Sequence, residues 1–113
     1  MSSPMGASRY SGRPARRLTI YLGVRDRVGH RSLAVEILKR ARRVGVAGAT
    51  VFEGEEGFGV SGSLHREHAV SDDRPVVIVI VDRSRTITSL LEELGPLLEG
   101  VTVTIDDVEI LEI

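Results

Sequence analysis

The sequence has no cysteine and few aromatic residues, and each shortage excludes a class of function. Without a cysteine among its 113 residues, the chain forms neither disulfides nor thiolate metal sites. Two Tyr, two Phe and no Trp are too few for the stacking platform of a single-stranded nucleic-acid binder. We therefore expect no nucleic-acid partner.

The sequence also lacks long apolar segments. No run approaches the roughly 20 apolar residues that span a bilayer. The first residues, MSSPMGASRYSGRPARR, lack the apolar core of a signal peptide. We therefore expect a cytoplasmic protein with no membrane insertion.

Motifs for catalysis are absent as well. The chain has no Gly-x-Ser-x-Gly elbow, Walker loop or dinucleotide fingerprint. Two adjacent acidic pairs occur, Asp72 with Asp73 and Asp106 with Asp107, but neighbours in an extended chain point to opposite sides. We expect no enzyme and no catalytic residues, and the sequence leaves the cofactor unknown.

The net charge of −1 hides a strong asymmetry along the chain. Residues 1–50 carry eleven Lys or Arg and two acids, whereas residues 51–113 carry four Arg and fourteen acids. One interpretation is that the basic and the acidic residues both lie on solvated surface. Alternatively, the split steers opposite ends of neighbouring subunits together.

The length fits a single domain, preceded by a short tail. Residues 1–16 are rich in Ser, Gly, Pro and Arg and show no apolar periodicity, which predicts a disordered basic tail. The folded domain is then expected over residues 17–113. The arginines of the tail are either inert or in contact with an acidic surface.

Apolar periodicity places six elements on the rest of the chain. Residues 18–22 alternate as a strand, and Ser32 caps a helix that runs to Val44. Residues 49–53 begin a second strand that continues with bulges through Gly54 and Gly57 to Phe58. Residues 75–81 form a third strand, residues 87–98 a helix that Gly95-Pro96 either kinks or shortens, and residues 101–105 a fourth strand. Asp106-Asp107 then interrupts, and residues 108–113 indicate a short extra C-terminal strand. This βαββαβ order is the ferredoxin-like plan of an α+β sandwich, with two helices on one face of an antiparallel four-stranded sheet.

The third strand, PVVIVIV, predicts assembly. Its six residues after Pro75 are all apolar and show no alternation, as in strands that are covered on both faces. The two helices cover only one face of the sheet. Leaving the other set exposed would forfeit about 1.5–3 kcal/mol for each side chain, so we expect another subunit to cover it.

Segment 57–74, which contains the polar stretch VSGSLHREHAVSDDR at residues 60–74, is the best candidate for binding. It is long, polar and lies between two strands of a rigid sheet, where binding loops tend to occur. Its His65 and His68 are three residues apart beside carboxylates and are either Zn or Cu ligands or ordinary surface histidines. The acidic residues of the preceding GEEGFG would repel phosphate, so its glycines favour a bulge or close subunit approach.

Taken together, LTIYLG, RARRVGVAGATVFEGEEGFG and LHREHAVSDDRPVVIVIVD resemble the PII-like domains of unknown function, family one-hundred-and-ninety, of the PII/CutA-like superfamily. The resemblance covers residues 18–113. Gly57-Phe58-Gly59 is similar to the step by which PII proteins enter their long T-loop, and PVVIVIVDRS is similar to the strand that leaves it.

The resemblance implies a regulatory signal-transduction protein. It implies a homotrimer whose sheets face inward, a small ligand such as an adenine nucleotide in the inter-subunit clefts, and a partner protein, for example a membrane transporter, at loop 60–74. The implied ligand-binding residues are Gly57, Phe58 and Gly59 in the cleft, His65 and Arg66 on the loop, and Asp82 at the strand exit.

The chain departs from PII proteins before the fourth strand. PII proteins hold the nucleotide phosphates there on a Gly-Asp-Gly-Lys loop, whereas this chain reads LLEGVTVTI, with Gly100 and no lysine. Two alternatives therefore remain open: a CutA-like divalent-metal trimer that uses His65 and His68, and a structural oligomer without a ligand.

Overall fold

A computed structural model describes residues 11–57 and 73–112 of the chain. The elements in chain order are β1 (Ser11–Gly23), β2 (Arg27–Val28), β3 (Arg31–Ser32), α1 (Leu33–Val44), β4 (Thr50–Glu53), β5 (Pro75–Asp82), α2 (Ser84–Leu94), a 3₁₀ turn (Gly95–Leu98) and β6 (Thr102–Glu112). Among these residues, no helix is long and apolar enough to cross a membrane.

The main sheet has four antiparallel strands in the order β4-β5-β1-β6. The apolar strand β5 is central and lies beside β1, and the predicted ferredoxin-like α+β fold is confirmed. Alternation along β1 and β5 divides the side chains between two faces. We call the face that packs against α1 and α2 the helix face, and the opposite one the open face.

The core lies between the helix face and the two helices. On the strands, the even-numbered side chains of residues 18–22 and 76–80 are almost completely buried. The helices contribute one apolar stripe each, as their spacing predicts. The buried core residues of the helices are Leu33, Ile37, Ala41, Ile87, Leu90 and Leu94.

β1 starts earlier than the sequence predicts. It begins at Ser11, so the proposed tail of residues 1–16 is wrong for residues 11–16, which pair with the second half of β6. Residues 1–10 lie outside the described residues. Pairing compensates for the weak strand propensity of SGRPAR: Ala15 is buried opposite Val108, and Arg13 bonds to Glu112 at 3.1 Å.

The short extra C-terminal strand is a continuation of the fourth strand of the sheet. β6 runs without a break from Thr102 to Glu112, and Asp106 and Asp107 do not interrupt it. They pair directly with Arg17 and Arg16 of β1, with carboxylate–guanidinium distances of 2.5 Å and 3.5 Å. Cross-strand pairs of opposite charge stabilise a sheet, and this offsets the low strand propensity of Asp.

The connection between β1 and α1 contains a hairpin that the sequence did not predict. β2 and β3 pair over two residues each around the turn at Gly29, which has a φ of 62°. Asp26 closes the start of this hairpin, because its backbone carbonyl accepts a hydrogen bond from the Leu33 amide at 2.9 Å. Strands of two residues have no periodicity in the sequence, so this hairpin cannot be predicted from the local pattern.

Local signals set the ends of α1 correctly. The Ser32 hydroxyl accepts a hydrogen bond from the Val35 amide at 3.3 Å, as an N-cap does. Gly45 ends the helix with a left-handed φ of 97°. β4 is shorter than expected and ends at Glu53, so the predicted bulged continuation to Phe58 is wrong for residues 54–57, and Phe58 lies outside the described residues.

Candidate functional site

Segment 58–72 lies outside the described residues, but the structure defines the frame from which it starts. We call the residues on either side, Gly54, Gly57, Asp73, Arg74 and Pro75, the segment base. On the entry side, the Gly54 amide donates to the Pro75 carbonyl at 2.8 Å. A Cβ on Gly54 would lie 2.7 Å from the Pro75 ring, and one on Gly57 would lie 3.3 Å from it. Glycine therefore lets the entry pass closely over the start of β5.

The exit side of the segment base is held by Asp73. This carboxyl is buried, and its Oδ1 accepts a hydrogen bond from the Arg25 amide at 3.0 Å. Next to it, the Val24 amide donates to the Arg74 carbonyl at 2.8 Å. A Cβ on Gly23 would lie only 2.4 Å from Asp73 Oδ1, so this close approach needs glycine.

The hairpin that follows Val24 and Arg25 is tied to α1 by a buried carboxylate. Glu36 is 6% exposed, and it bonds to Arg31 of β3 at 2.7 Å and to Arg40, one turn along α1, at 3.2 Å. The hydrogen bond from Arg31 is the main cause that lowers the pKa of Glu36, and Arg40 adds to it against the opposing effect of burial. A rigid path thus runs from the segment base through the hairpin into α1.

Asp82 lies at the other end of β5. Its Oδ2 accepts a hydrogen bond from the Ala47 amide at 2.9 Å, and its Oδ1 accepts one from the Arg83 amide at 2.7 Å. It therefore holds the loop between α1 and β4 near the start of α2, where a negative charge is favourable. Eight residues of extended strand place Asp82 about 23 Å from the segment base.

The predicted ligand residues are thus distributed over two ends of the molecule. Gly57 belongs to the segment base and Asp82 to the opposite end of β5, so one subunit does not bring them together. Phe58, Gly59, His65 and Arg66, like the alternative metal ligand His68, lie outside the described residues. Within the described ranges, 11–57 and 73–112, no group of three or more His, Asp or Glu is placed to hold a metal.

The open face carries a shallow depression of about 530 Å³. Its floor includes Thr19, Val79 and Thr104, and Phe52 and Tyr21 stand at its sides. Arg17 and Asp106 lie at one end of the depression. The Arg17 guanidinium donates a hydrogen bond to the Asp106 carboxylate, and this bond raises the pKa of Arg17. The surface is therefore mostly apolar and hydroxyl-bearing, with one internally balanced ion pair.

The open-face residues of β5 behave as the unbroken apolar run predicts. Val76, Ile78 and Ile80 are buried under the helices, whereas the alternate set Val77, Val79 and Val81 is only half-buried. No described residue of the chain covers this second set.

Sequence reasoning missed Asp73 and Glu36, and only one of them had a usable signal. Glu36 and Arg40 have the i,i+4 spacing of a helical ion pair, and Glu36 falls on the buried stripe of α1. Asp73 had none, since its role depends on the Arg25 amide, 48 residues away in the chain.

Structural comparison supports this architecture. The chain is similar to the apo form of CPII, a nitrogen regulatory PII-like protein of Thiomonas intermedia K12, with a TM-score of 0.65, 19% identity, and coverage of 93% of this chain and 100% of CPII. It is also similar to CPII bound to ADP, AMP and acetate, with a TM-score of 0.62, 22% identity, and coverage of 88% of this chain and 90% of CPII. These likenesses establish the fold.

Sequence comparison establishes the family. The UPF0166 protein of Aquifex aeolicus is 34% identical over 77 residues, which is 66% of this chain and 72% of that protein. The profile of DUF190, described as an uncharacterized family, matches residues 15–110. The chain therefore belongs to the DUF190 family and has a PII-like fold.

Proposed function

We propose that this chain is a PII-like regulatory protein that acts by binding and not by catalysis. In this proposal it works in the cytoplasm as a homotrimer. It takes up a small ligand, with adenine nucleotides as the first candidates, in the clefts between subunits. It contacts a partner protein, for which a membrane transporter is our candidate, through loop 60–74.

The observation that carries the proposal is the rigid frame at the segment base. The two strands that flank segment 58–72 are neighbours in the sheet, and both ends of the segment are held by backbone hydrogen bonds. A long polar segment on a fixed frame is suited to recognition, since the frame limits the conformations that binding must order.

The separation of Gly57 from Asp82 supports a cleft between subunits. A nucleotide that contacts both positions within one subunit would have to bridge about 23 Å along β5. In a ring of identical subunits, one end of β5 in one copy can lie near the other end of β5 in the next. Burial of the half-exposed valines of the open face would favour the formation of such a ring.

The nucleotide part of the proposal draws on the solved relative. CPII has been crystallised with ADP and AMP. A direct test is isothermal titration calorimetry of the purified trimer with ADP, AMP and ATP. We expect one of them to bind, and at 100 times its Kd to stabilise the fold by about 2.7 kcal/mol in thermal unfolding.

Matched variants locate the binding site. Arg66→Ala should weaken nucleotide binding, whereas Arg85→Ala, at an exposed position of α2, should leave it unchanged. A trimer that gives no heat with any of the three nucleotides at millimolar concentration would contradict nucleotide sensing and support the ligand-free structural oligomer. A monomer in light scattering would contradict the assembly.

The partner part has its own test. Replacing residues 60–74 by a Gly-Ser linker of equal length should leave the trimer intact and abolish binding to a candidate transporter reconstituted in nanodiscs. Unchanged binding by this variant would contradict a role for the loop.

A further inference from the structure

Among the described residues only two charged side chains are buried, Glu36 and Asp73, and both hold the hairpin of β2 and β3. Acidic side chains are almost never fully buried unless they are paired. Asp73 accepts a hydrogen bond from the Arg25 amide, two residues before β2, and Glu36 accepts one from the Arg31 side chain on β3. The hairpin is therefore held by Asp73 where it begins and by Glu36 where it ends.

The hairpin has little stability of its own. Its strands pair over only two residues each, and isolated two-stranded hairpins are marginally stable in water even when they are longer. Within residues 27–32, Val28 is the one side chain that packs against the hydrophobic core, and it is only partly buried. The position of the hairpin therefore depends on the two carboxylates more than on packing.

The exit side of the segment base is bound to the chain that leads into this hairpin. The Val24 amide donates to the Arg74 carbonyl at 2.8 Å, and the Arg25 amide donates to Asp73 Oδ1 at 3.0 Å. These donors are consecutive backbone amides, so a displacement of the hairpin displaces both of them. The exit side of the segment base is thus fixed only as firmly as the hairpin.

Glu36 divides its two carboxylate oxygens between two arginines with different roles. Arg31 Nη1 lies 2.7 Å from Oε1, and Arg40 Nε lies 3.2 Å from Oε2. Arg40 belongs to α1 like Glu36 itself, so its bond stays within the helix, whereas the bond from Arg31 joins the helix to the hairpin. We call these three residues the Glu36 triad.

The bond between Arg31 and Glu36 can open without opening the core. The Arg31 side chain is 64% exposed and can exchange the carboxylate for water, whereas the Arg40 side chain is 28% exposed and stays against the helix. A buried carboxylate that loses its only counter-charge is strongly destabilising. Because Arg40 remains bound, Glu36 keeps a counter-charge when Arg31 leaves, and the opening is local.

We infer that Glu36 is a positioning residue for the exit side of the segment base, and that it acts through Arg31 and the hairpin. When Arg31 is bound, the hairpin is fixed and its two amides hold the exit side of the segment base. When Arg31 turns to water, the hairpin and the exit side loosen together. The inference rests on the recognition role proposed for loop 60–74, and it places control of the frame of that loop on α1.

Amide hydrogen exchange of the full chain, measured by NMR without ligand or partner, tests the inference. In Arg31→Met we expect the amides of Val24 and Arg25 to exchange about tenfold faster or more, as loss of a hydrogen bond between charged groups implies. The amide of Ile20, in the buried part of β1, should keep its wild-type rate. Faster exchange confined to the first two amides separates local opening from a general loss of stability.

Arg40→Met is the matched control, because it removes the other arginine from the same carboxylate but leaves the hairpin bound. Val24 and Arg25 should exchange at wild-type rates in this variant. Arg31→Lys keeps a cation on the hairpin and should restore most of the protection. Equal acceleration in Arg31→Met and Arg40→Met would show that the triad only stabilises the fold, and unchanged rates in Arg31→Met would show that the hairpin does not need Glu36. Either result overturns the inference.

A double-mutant cycle tests whether the two carboxylates act on one unit. The readout is the amide of Leu33, which donates to the Asp26 carbonyl at 2.9 Å where the hairpin joins α1. Arg31→Met and Asp73→Ala should each accelerate its exchange, and the double variant should gain less than the product of the two effects. If circular dichroism shows that Asp73→Ala is unfolded, Asp73→Asn takes its place. Effects that simply multiply overturn the coupling between hairpin and segment base.

The exchange experiments and the transporter experiment fail independently. Unchanged exchange in Arg31→Met overturns the role of Glu36 and leaves the proposed role of loop 60–74 in place. Unchanged transporter binding by the Gly-Ser linker variant contradicts the role of the loop, while faster exchange at Val24 and Arg25 in Arg31→Met still supports the positioning role of Glu36.

Discussion

At the scale of single residues, the segment base depends on one close approach between two parts of the chain. Gly23 ends β1 where the carboxyl of Asp73 packs against its Cα. The φ of Gly23 is not in the left-handed region, so glycine is needed there for space and not for backbone conformation. Asp73 in turn holds the Arg25 amide, so the small residue allows the carboxyl to join two distant segments.

We predict that Gly23→Ala destabilises the fold by about 1–3 kcal/mol, the usual cost of overpacking. The added Cβ would clash with Asp73 Oδ1, and the displaced carboxyl would lose its bond to Arg25. Urea unfolding measures the loss. Gly48→Ala is the matched control, because a Cβ there meets nothing within 4 Å. Equal midpoints for the two variants would show that the Asp73 contact is not tight.

Glu36 should make stability depend on pH. Its pKa is lowered in the folded protein, chiefly by the hydrogen bond from Arg31. The contribution is therefore fully present above the ordinary carboxyl pKa and is lost as the pH falls through the lowered value. Chemical unfolding between pH 7 and pH 3 should show a steeper loss for the wild type than for Glu36→Gln. Parallel curves would contradict this linkage.

At the scale of elements, local signals and tertiary pairing contribute differently. The ends of α1 follow from Ser32 and Gly45, whose conformations depend on the adjacent turn alone. The start of β1 does not, because residues 11–16 become a strand only when β6 pairs with them. The same pairing explains much of the charge asymmetry, since basic residues of β1 meet acidic residues of β6 inside one chain.

Removing the N-cap of α1 should cost a measurable amount of stability. Ser32→Ala removes the acceptor for the Val35 amide, and such changes cost about 0.5–2 kcal/mol. Ser84→Ala is the control, because Ser84 is the first residue of α2 and not its cap. Thermal unfolding compares the two. A larger loss for Ser84→Ala would mean that α1 does not need its cap.

Prediction from the sequence succeeded for elements with strong patterns and failed for those that depend on partners. The unbroken apolar run of residues 76–81 identified a strand, its central place in the sheet follows from the βαββαβ order, and the amphipathic stripes located both helices. The hairpin of β2 and β3 was missed, because two-residue strands carry no periodicity. Asp106 and Asp107 wrongly predict a break in the strand, because their partners Arg17 and Arg16 are about 90 residues away in the chain.

At the scale of the whole molecule, the open face is the main unsatisfied surface. Its half-buried valines and its depression lie opposite the helices, and no described part of the chain covers them. In the proposed ring of subunits, further copies of the chain cover this face.

We predict that Val79→Lys dissociates the proposed trimer while the single chain stays folded. The ammonium group would be desolvated between packed sheets, whereas in a monomer the lysine stem covers the site and its charge reaches water. Light scattering should show a fall from trimer to monomer mass, with unchanged circular dichroism. Val35→Lys should remain trimeric. If Val79→Lys also stays trimeric, the open face is not the inner surface.

The sequence alone determined the fold class and much of the element order. These predictions depend on local sequence: the order of the strong elements, the apolar run of β5, and the absences of cysteine and catalytic motifs. Local sequence can be interpreted without knowing which distant residues are in contact. Only the tertiary structure decided the extent of β1 and β6, the buried roles of Asp73 and Glu36, and the separation of Gly57 from Asp82. These depend on contacts between residues far apart in the chain, and the energy of such contacts exists only once the fold brings them together.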